Sequence, residues 1–80
     1  MTPEEVSLRI EELVHEEQML LRREERVGPS DEDRERLQVV KIALDELWDL
    51  QRRQRARSEA GLDPEAAELN DAARVEGYQQ

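Results

Sequence analysis

Between two segments whose apolar residues recur at helical spacing lies Val27-Gly28-Pro29-Ser30, and this break leaves the chain few ways to fold. Gly28 accepts the left-handed backbone that ends a helix, and Pro29 disfavours helix at the residue before it. Ser30 can cap the next helix at once, with Asp31, Glu32 and Asp33 in its positive first turn and Asp33 at the capping-box position. Upstream, Thr2, Pro3 and Glu5 form a capping box with proline at the first helical position. Helix 1 is therefore expected over residues 3–26 and helix 2 over 31–59, where Gly61 stops it. So short a link makes the two helices antiparallel neighbours, an αα-hairpin.

Antiparallel pairing sets Leu21 opposite Leu37, Val14 opposite Leu44, and Ile10 opposite Leu47 or Trp48. At about 100° per residue, Val6, Ile10, Leu13, Val14, Leu20 and Leu21 share one arc of helix 1. Leu37, Val40, Leu44, Leu47 and Trp48 share the matching arc of helix 2, and the two arcs make the seam. Glu17 interrupts it, and a Glu17 to Lys41 contact is expected. Trp48 reads as a packing residue with its indole nitrogen at the edge.

Helix 2 carries more apolar surface than one neighbour can cover. Val39, Ile42, Ala43 and Leu50 fall outside the seam, and leaving them wet would expose a long apolar stripe. The expected solution is a homodimer in which two hairpins pack through these four residues into a four-helix bundle, with the small Ala43 allowing close approach. The alternative is that the segment after Gly61 folds back over the stripe within one chain. Size favours association, because a chain of 80 residues without cysteine has no disulfide staple to supplement a thin core.

The charge balance narrows the partners. A net charge of −9, with 21 acidic against 12 basic side chains, opposes nucleic-acid binding and membrane-surface binding, both of which call for a basic face. No apolar run approaches membrane-spanning length and the first residues lack a basic leader, so a cytoplasmic protein is expected. Arg52, Arg53, Arg55 and Arg57 form the one locally basic stretch. They complement the negative end of helix 2, and alternatively contact an anionic partner.

Catalytic signals are weak. Glu12 and His15 have the E-x-x-H spacing used by di-iron bundles, but on the wheel they point away from the main apolar arc. The acidic groups around Glu11 to Glu17 and Asp45 to Asp49 read as solvated helix faces. Serines lack a histidine at helical spacing, and there is no glycine-rich phosphate loop. No catalytic residue, metal ligand or cofactor is assigned.

Asp63-Pro64 repeats the pairing of an N-cap with proline at the first helical position, so a short third helix is expected over about 64–70, followed by an extended tail. Residues 1–61 then form the hairpin, and 62–80 the short helix and tail. Four stretches of the chain together make a recognisable set: Ile10 to Glu17 (I-x-x-L-V-x-E-E), Leu47-Trp48-Asp49-Leu50 with the arginine run to Arg57, Glu59-Ala60-Gly61-x-Asp63-Pro64, and Val75-Glu76-Gly77-Tyr78-x-Gln80. Over almost its full length the chain resembles DUF2630, a family of short actinobacterial proteins of unknown function. That resemblance implies no established activity and transfers no catalytic residue. It marks the tail as a recognisable element, with Tyr78 available to dock on the hairpin or on a partner.

The leading functional reading is a small acidic all-α protein that self-associates and contacts an unidentified protein partner. The alternatives are a nucleic-acid or phosphate-binding regulator using Arg52 to Arg57, and a metal-binding or enzymatic bundle.

Overall fold

The computed structural model describes residues 1–69 and consists, over that range, of two long helices and one short turn of 3₁₀ helix. Helix α1 spans Pro3–Val27 and α2 spans Asp31–Glu59. Both N-termini are capped as expected. The Thr2 hydroxyl accepts from the Glu5 amide at 3.1 Å while the Glu5 carboxylate accepts from the Thr2 amide at 2.8 Å, closing the capping box. Ser30 Oγ accepts from the Asp33 amide at 3.1 Å, but the Asp33 carboxylate turns away from the cap to meet Arg23.

Gly28 ends α1 at φ +93°, and its amide donates to the Glu24 carbonyl at 2.9 Å. The end of α2 is a Schellman motif: the Leu62 amide donates to the Arg57 carbonyl at 2.8 Å, and the Gly61 amide to the Ser58 carbonyl at 3.0 Å. Gly61 takes φ +76° there. The chain then doubles back, and Arg57 Nε donates to the Asp63 carbonyl at 2.6 Å.

The core is a heptad seam. Val6, Leu13 and Leu20 of α1 are buried seven residues apart, facing Val40, Leu44, Leu47 and Leu50 of α2. Ala67, from the segment after the turn, completes this cluster, and Ile10, Val14, Leu37, Ala43 and Leu69 pack against it half-buried. Each fully buried leucine or valine contributes about 2 kcal/mol of transfer free energy, so this row of seven is what fixes the hairpin.

Five expectations change. Leu50, read as part of an outer stripe, is 1% exposed, and Trp48, read as a seam residue, is 38% exposed. The reason is a small rotation: the seam of α2 points along Val40, Leu47 and Gln54, which brings Leu50 under the returning segment and turns Trp48 outward. Leu21 likewise lies at the margin, with 42% of its surface open. The third helix is a single 3₁₀ turn, Pro64–Ala66, because Ala67 is already extended at φ −73°, ψ 134° and enters the core. Finally, Glu17 forms no ion pair with Lys41; among the described residues the ion pairs between α1 and α2 join Glu16 to Arg36, Arg23 to Asp33 and Glu24 to Arg34.

Candidate functional site

A two-helix hairpin has two long sides, and the sequence furnishes them differently. On one side the rows Arg9, Glu16, Arg23 and Arg36, Ala43, Leu50, Arg57 run at seven-residue intervals beside the seam. The half of this side near the interhelical link is held by charge. Arg23 binds Asp33 in bidentate fashion at 2.7 and 2.6 Å, and Arg36 grips Glu16 with both Nε and Nη2, the latter at 2.8 Å. The Arg36 hydrogen bonds hold the Glu16 carboxyl below the usual range, and those of Arg23 do the same for Asp33.

These pairs line an open groove of about 580 Å³ that also contains Met19, Leu20, Arg22 and Arg26. Four arginines line it, and Arg36 and Arg23 each place two hydrogen bonds on one carboxylate, Glu16 and Asp33 respectively. The sequence reading missed this groove, although Arg22, Arg23 and Arg26 on α1 and Arg36 on α2 were visible; only the register of the antiparallel pair brings them together.

The other half of the same side is covered by the chain itself. Leu69 joins Arg9, Leu13, Ala43, Glu46 and Leu47 around a small recess of about 180 Å³. The segment after Gly61 thus folds back beside Ala43, and its Ala67 shares the buried cluster with Leu50. Val39 and Ile42, on the outer side of α2, remain 54% and 39% exposed.

The arginine run does not converge. Arg52 and Arg53 both turn to Asp49, at 3.8 and 2.9 Å, Arg57 is engaged by the turn at Asp63, and Arg55 lies on the opposite side beside Ser7 and Gln51. A basic patch on one face is what nucleic-acid contact would need, and these four side chains leave the helix in different directions. Tyr78 lies outside the described residues. Glu12 pairs with Arg9 at 3.0 Å beside an exposed His15, and among the described residues no three histidine or carboxylate side chains are grouped to hold a metal ion. No helix of the described residues is long and apolar enough to cross a membrane.

The second long side carries no covering segment among the described residues. Its rows are Ser7, Val14, Leu21 on α1 and Arg34, Lys41, Trp48, Arg55 on α2, flanking half-buried Ile10 and Leu37. Two observations put these rows on one side: Arg34 reaches Glu24 at 3.8 Å, and Ser7 and Arg55 line one recess of about 270 Å³ with Pro3, Gln51, Gln54 and Ser58. The result is a side on which half-buried Ile10, Val14 and Leu37 adjoin exposed Leu21 and Trp48, interrupted on α2 by the exposed Arg34, Lys41 and Arg55. It escaped the sequence reading because both residues had been assigned to the seam.

Comparison with known proteins agrees with the pattern read from the four sequence stretches. Residues 2–80 match the family described as protein of unknown function DUF2630. The chain is 38% identical over 78 residues to the uncharacterized protein Rv0898c of Mycobacterium tuberculosis, covering 96% of this chain and 90% of the relative. The same values hold for the uncharacterized protein Mb0922c of Mycobacterium bovis. No solved structure matches. With a match that runs from the α1 cap to the last residue, this helical hairpin belongs to the DUF2630 family.

Proposed function

We propose that the protein works by association and not by catalysis: a cytoplasmic, self-associating helical module that dimerises and offers its remaining surface to a protein partner. The observation that supports this reading is the number of large apolar side chains the hairpin leaves open. Leu8, Met19, Leu21, Val39, Ile42 and Trp48 are all exposed, on both helices. Scattered singly they would be ordinary, but Leu21 and Trp48 continue a strip of half-buried neighbours, which is how interaction surfaces differ from random exposure. The thin seam points the same way, since a small chain without disulfides gains most from burying a second face against another copy.

Sedimentation equilibrium of the full chain over a wide concentration range tests the reading. A dimer mass is expected; a 9.4 kDa species at every concentration overturns it. The regulator reading through Arg52 to Arg57 draws no support from side chains that diverge and pair locally.

A further inference from the structure

We propose that the arginine-lined groove beside the interhelical link is the docking site of the chain's own next segment, residues 70–80, with the Glu76 carboxylate seated between Arg22 and Arg26. The proposal concerns the long side that the chain already covers up to Leu69, and it stands apart from the self-association proposed above.

The first observation is a direction. Asp63 is held at the end of α2 by Arg57, Ala67 lies in the buried cluster, and Leu69 sits beside Leu13, Ala43 and Leu47. The segment after the 3₁₀ turn, extended at Ala67, therefore runs back along the hairpin toward the link. Where it reaches Leu69 the groove begins: Leu20 follows Leu13 by one heptad on α1, and Arg36 precedes Ala43 by one heptad on α2. A chain that keeps its course past Leu69 enters the groove.

Length agrees with this course. From the level of Leu13 the rise along α1 is about 14 Å to Arg22 and about 20 Å to Arg26. An extended chain from Leu69 reaches about 23 Å at Glu76 but only about 7 Å at Asp71. Of the two acidic residues in 70–80, Glu76 is thus the one that arrives at the level of both arginines.

Charge supplies the third observation. Arg23 and Arg36 each place two hydrogen bonds on a carboxylate, Asp33 and Glu16. Arg22 and Arg26, one turn apart and exposed, have no ion pair among the described residues. On a chain of net charge −9, two such neighbouring cations make a place for one further carboxylate. Beside them Met19 is 51% exposed, and Val75 and Tyr78 bring apolar surface to cover it. Tethering at the mouth of the groove gives the segment an effective concentration on the order of millimolar, so contacts too weak to hold a separate molecule hold this one.

The test uses the full chain, whose lack of cysteine allows a single nitroxide label at Gln79→Cys. Paramagnetic broadening of backbone amides is expected at Met19, Leu20, Arg22 and Arg26, and far less at Ser7 and Trp48 on the opposite long side. It should arise within the labelled chain and be absent from unlabelled, isotope-enriched chains mixed with labelled ones. Arg22→Glu with Arg26→Glu is expected to lower the docked-to-free ratio read from this broadening about tenfold or more, because like charges then face each other. Glu76→Arg alone, which alters no residue of the hairpin, should release the segment equally. Combining all three reversals restores the attraction and the broadening, with circular dichroism unchanged throughout.

Groove amides that show no broadening in the otherwise wild-type chain overturn the proposal, and shifts of Arg22 and Arg26 amides with added inorganic phosphate would then assign the groove to an external anion. Broadening that appears in the unlabelled chains of the mixture gives the groove to a second copy and overturns it too. Broadening that survives the arginine reversals, or is not restored by Glu76→Arg, overturns the pairing of Glu76 with Arg22 and Arg26.

Discussion

The side-chain amide of Gln54, near the end of α2, donates to the carbonyl of Met1 at 2.7 Å and so ties the start of one helix to the end of the other. Gln54 is 2% exposed, and its Oε1 has no hydrogen-bond partner. The residue occupies a seam position seven residues beyond Leu47, where an apolar side chain would continue the heptad. Two opposing effects meet there: the amide bond to Met1 stabilises, and the buried orphan oxygen costs. Replacement by leucine removes both, so Gln54→Leu is expected to change stability by less than about 1 kcal/mol. Gln54→Ala removes packing as well and should cost about 2 kcal/mol. Urea denaturation measures both, and a loss for Gln54→Leu as large as for Gln54→Ala would show the Met1 bond to be the dominant effect.

Leu50 and Val39 were expected to share one outer stripe, and their substitutions should now separate. Leu50→Ala opens a cavity beneath the returning segment and is expected to cost about 3 kcal/mol. Val39→Ala removes an exposed side chain and should cost no more than about 0.5 kcal/mol in the monomer. Equal losses in urea denaturation at a concentration where the protein is monomeric would contradict the seam described here.

The local chemistry of this fold was legible in advance because it is carried by single residues. Thr2 with Glu5, Ser30, Gly28 and Gly61 each act through their own backbone position, so the helix ends could be read directly from the chain. The rotation of α2 was harder. It depends on which of two adjacent residues, Leu47 or Trp48, points at α1, and both are apolar. In the folded chain Leu47 points inward, and Ala67 and Leu69, which arrive after the turn, join the core it belongs to. The arginine groove was invisible for a related reason, since Arg23 and Asp33 meet only once the antiparallel register is fixed.

The ion pairs beside the interhelical link predict an acid-dependent stability. Hydrogen bonds from Arg36 and Arg23 depress Glu16 and Asp33 in the folded chain, so the unfolded chain binds protons more readily. Their contribution is therefore complete above the ordinary carboxylate range and fades as pH falls through and below it. Both pairs are open to solvent, so the effect is small and shrinks with added salt. Glu16→Gln with Asp33→Asn should lower stability at neutral pH and flatten the acid limb of a urea-midpoint against pH curve. An unchanged acid limb would show that the two pairs contribute nothing measurable.

Gly28 and Gly61 both have positive φ, but they should respond differently to alanine. Neither would meet an atom within 4 Å of an added Cβ, so any loss comes from backbone strain and not from collision. Gly61, at φ +76° inside the Schellman motif, has the left-handed conformation that alanine adopts at a cost of about 1 kcal/mol. Gly28 combines φ +93° with ψ 166°, a region essentially restricted to glycine, and it is held there by Pro29 and by the need to reverse the chain within three residues. Gly28→Ala is thus expected to cost about 2 kcal/mol, more than Gly61→Ala. The location of the damage should differ as well. Gly28→Ala acts on the link, so it should weaken the whole hairpin, whereas Gly61→Ala should loosen the segment that carries Ala67 over Leu50. Hydrogen exchange distinguishes them: faster exchange confined to residues after Arg57 is expected for Gly61→Ala, and acceleration through both helices for Gly28→Ala.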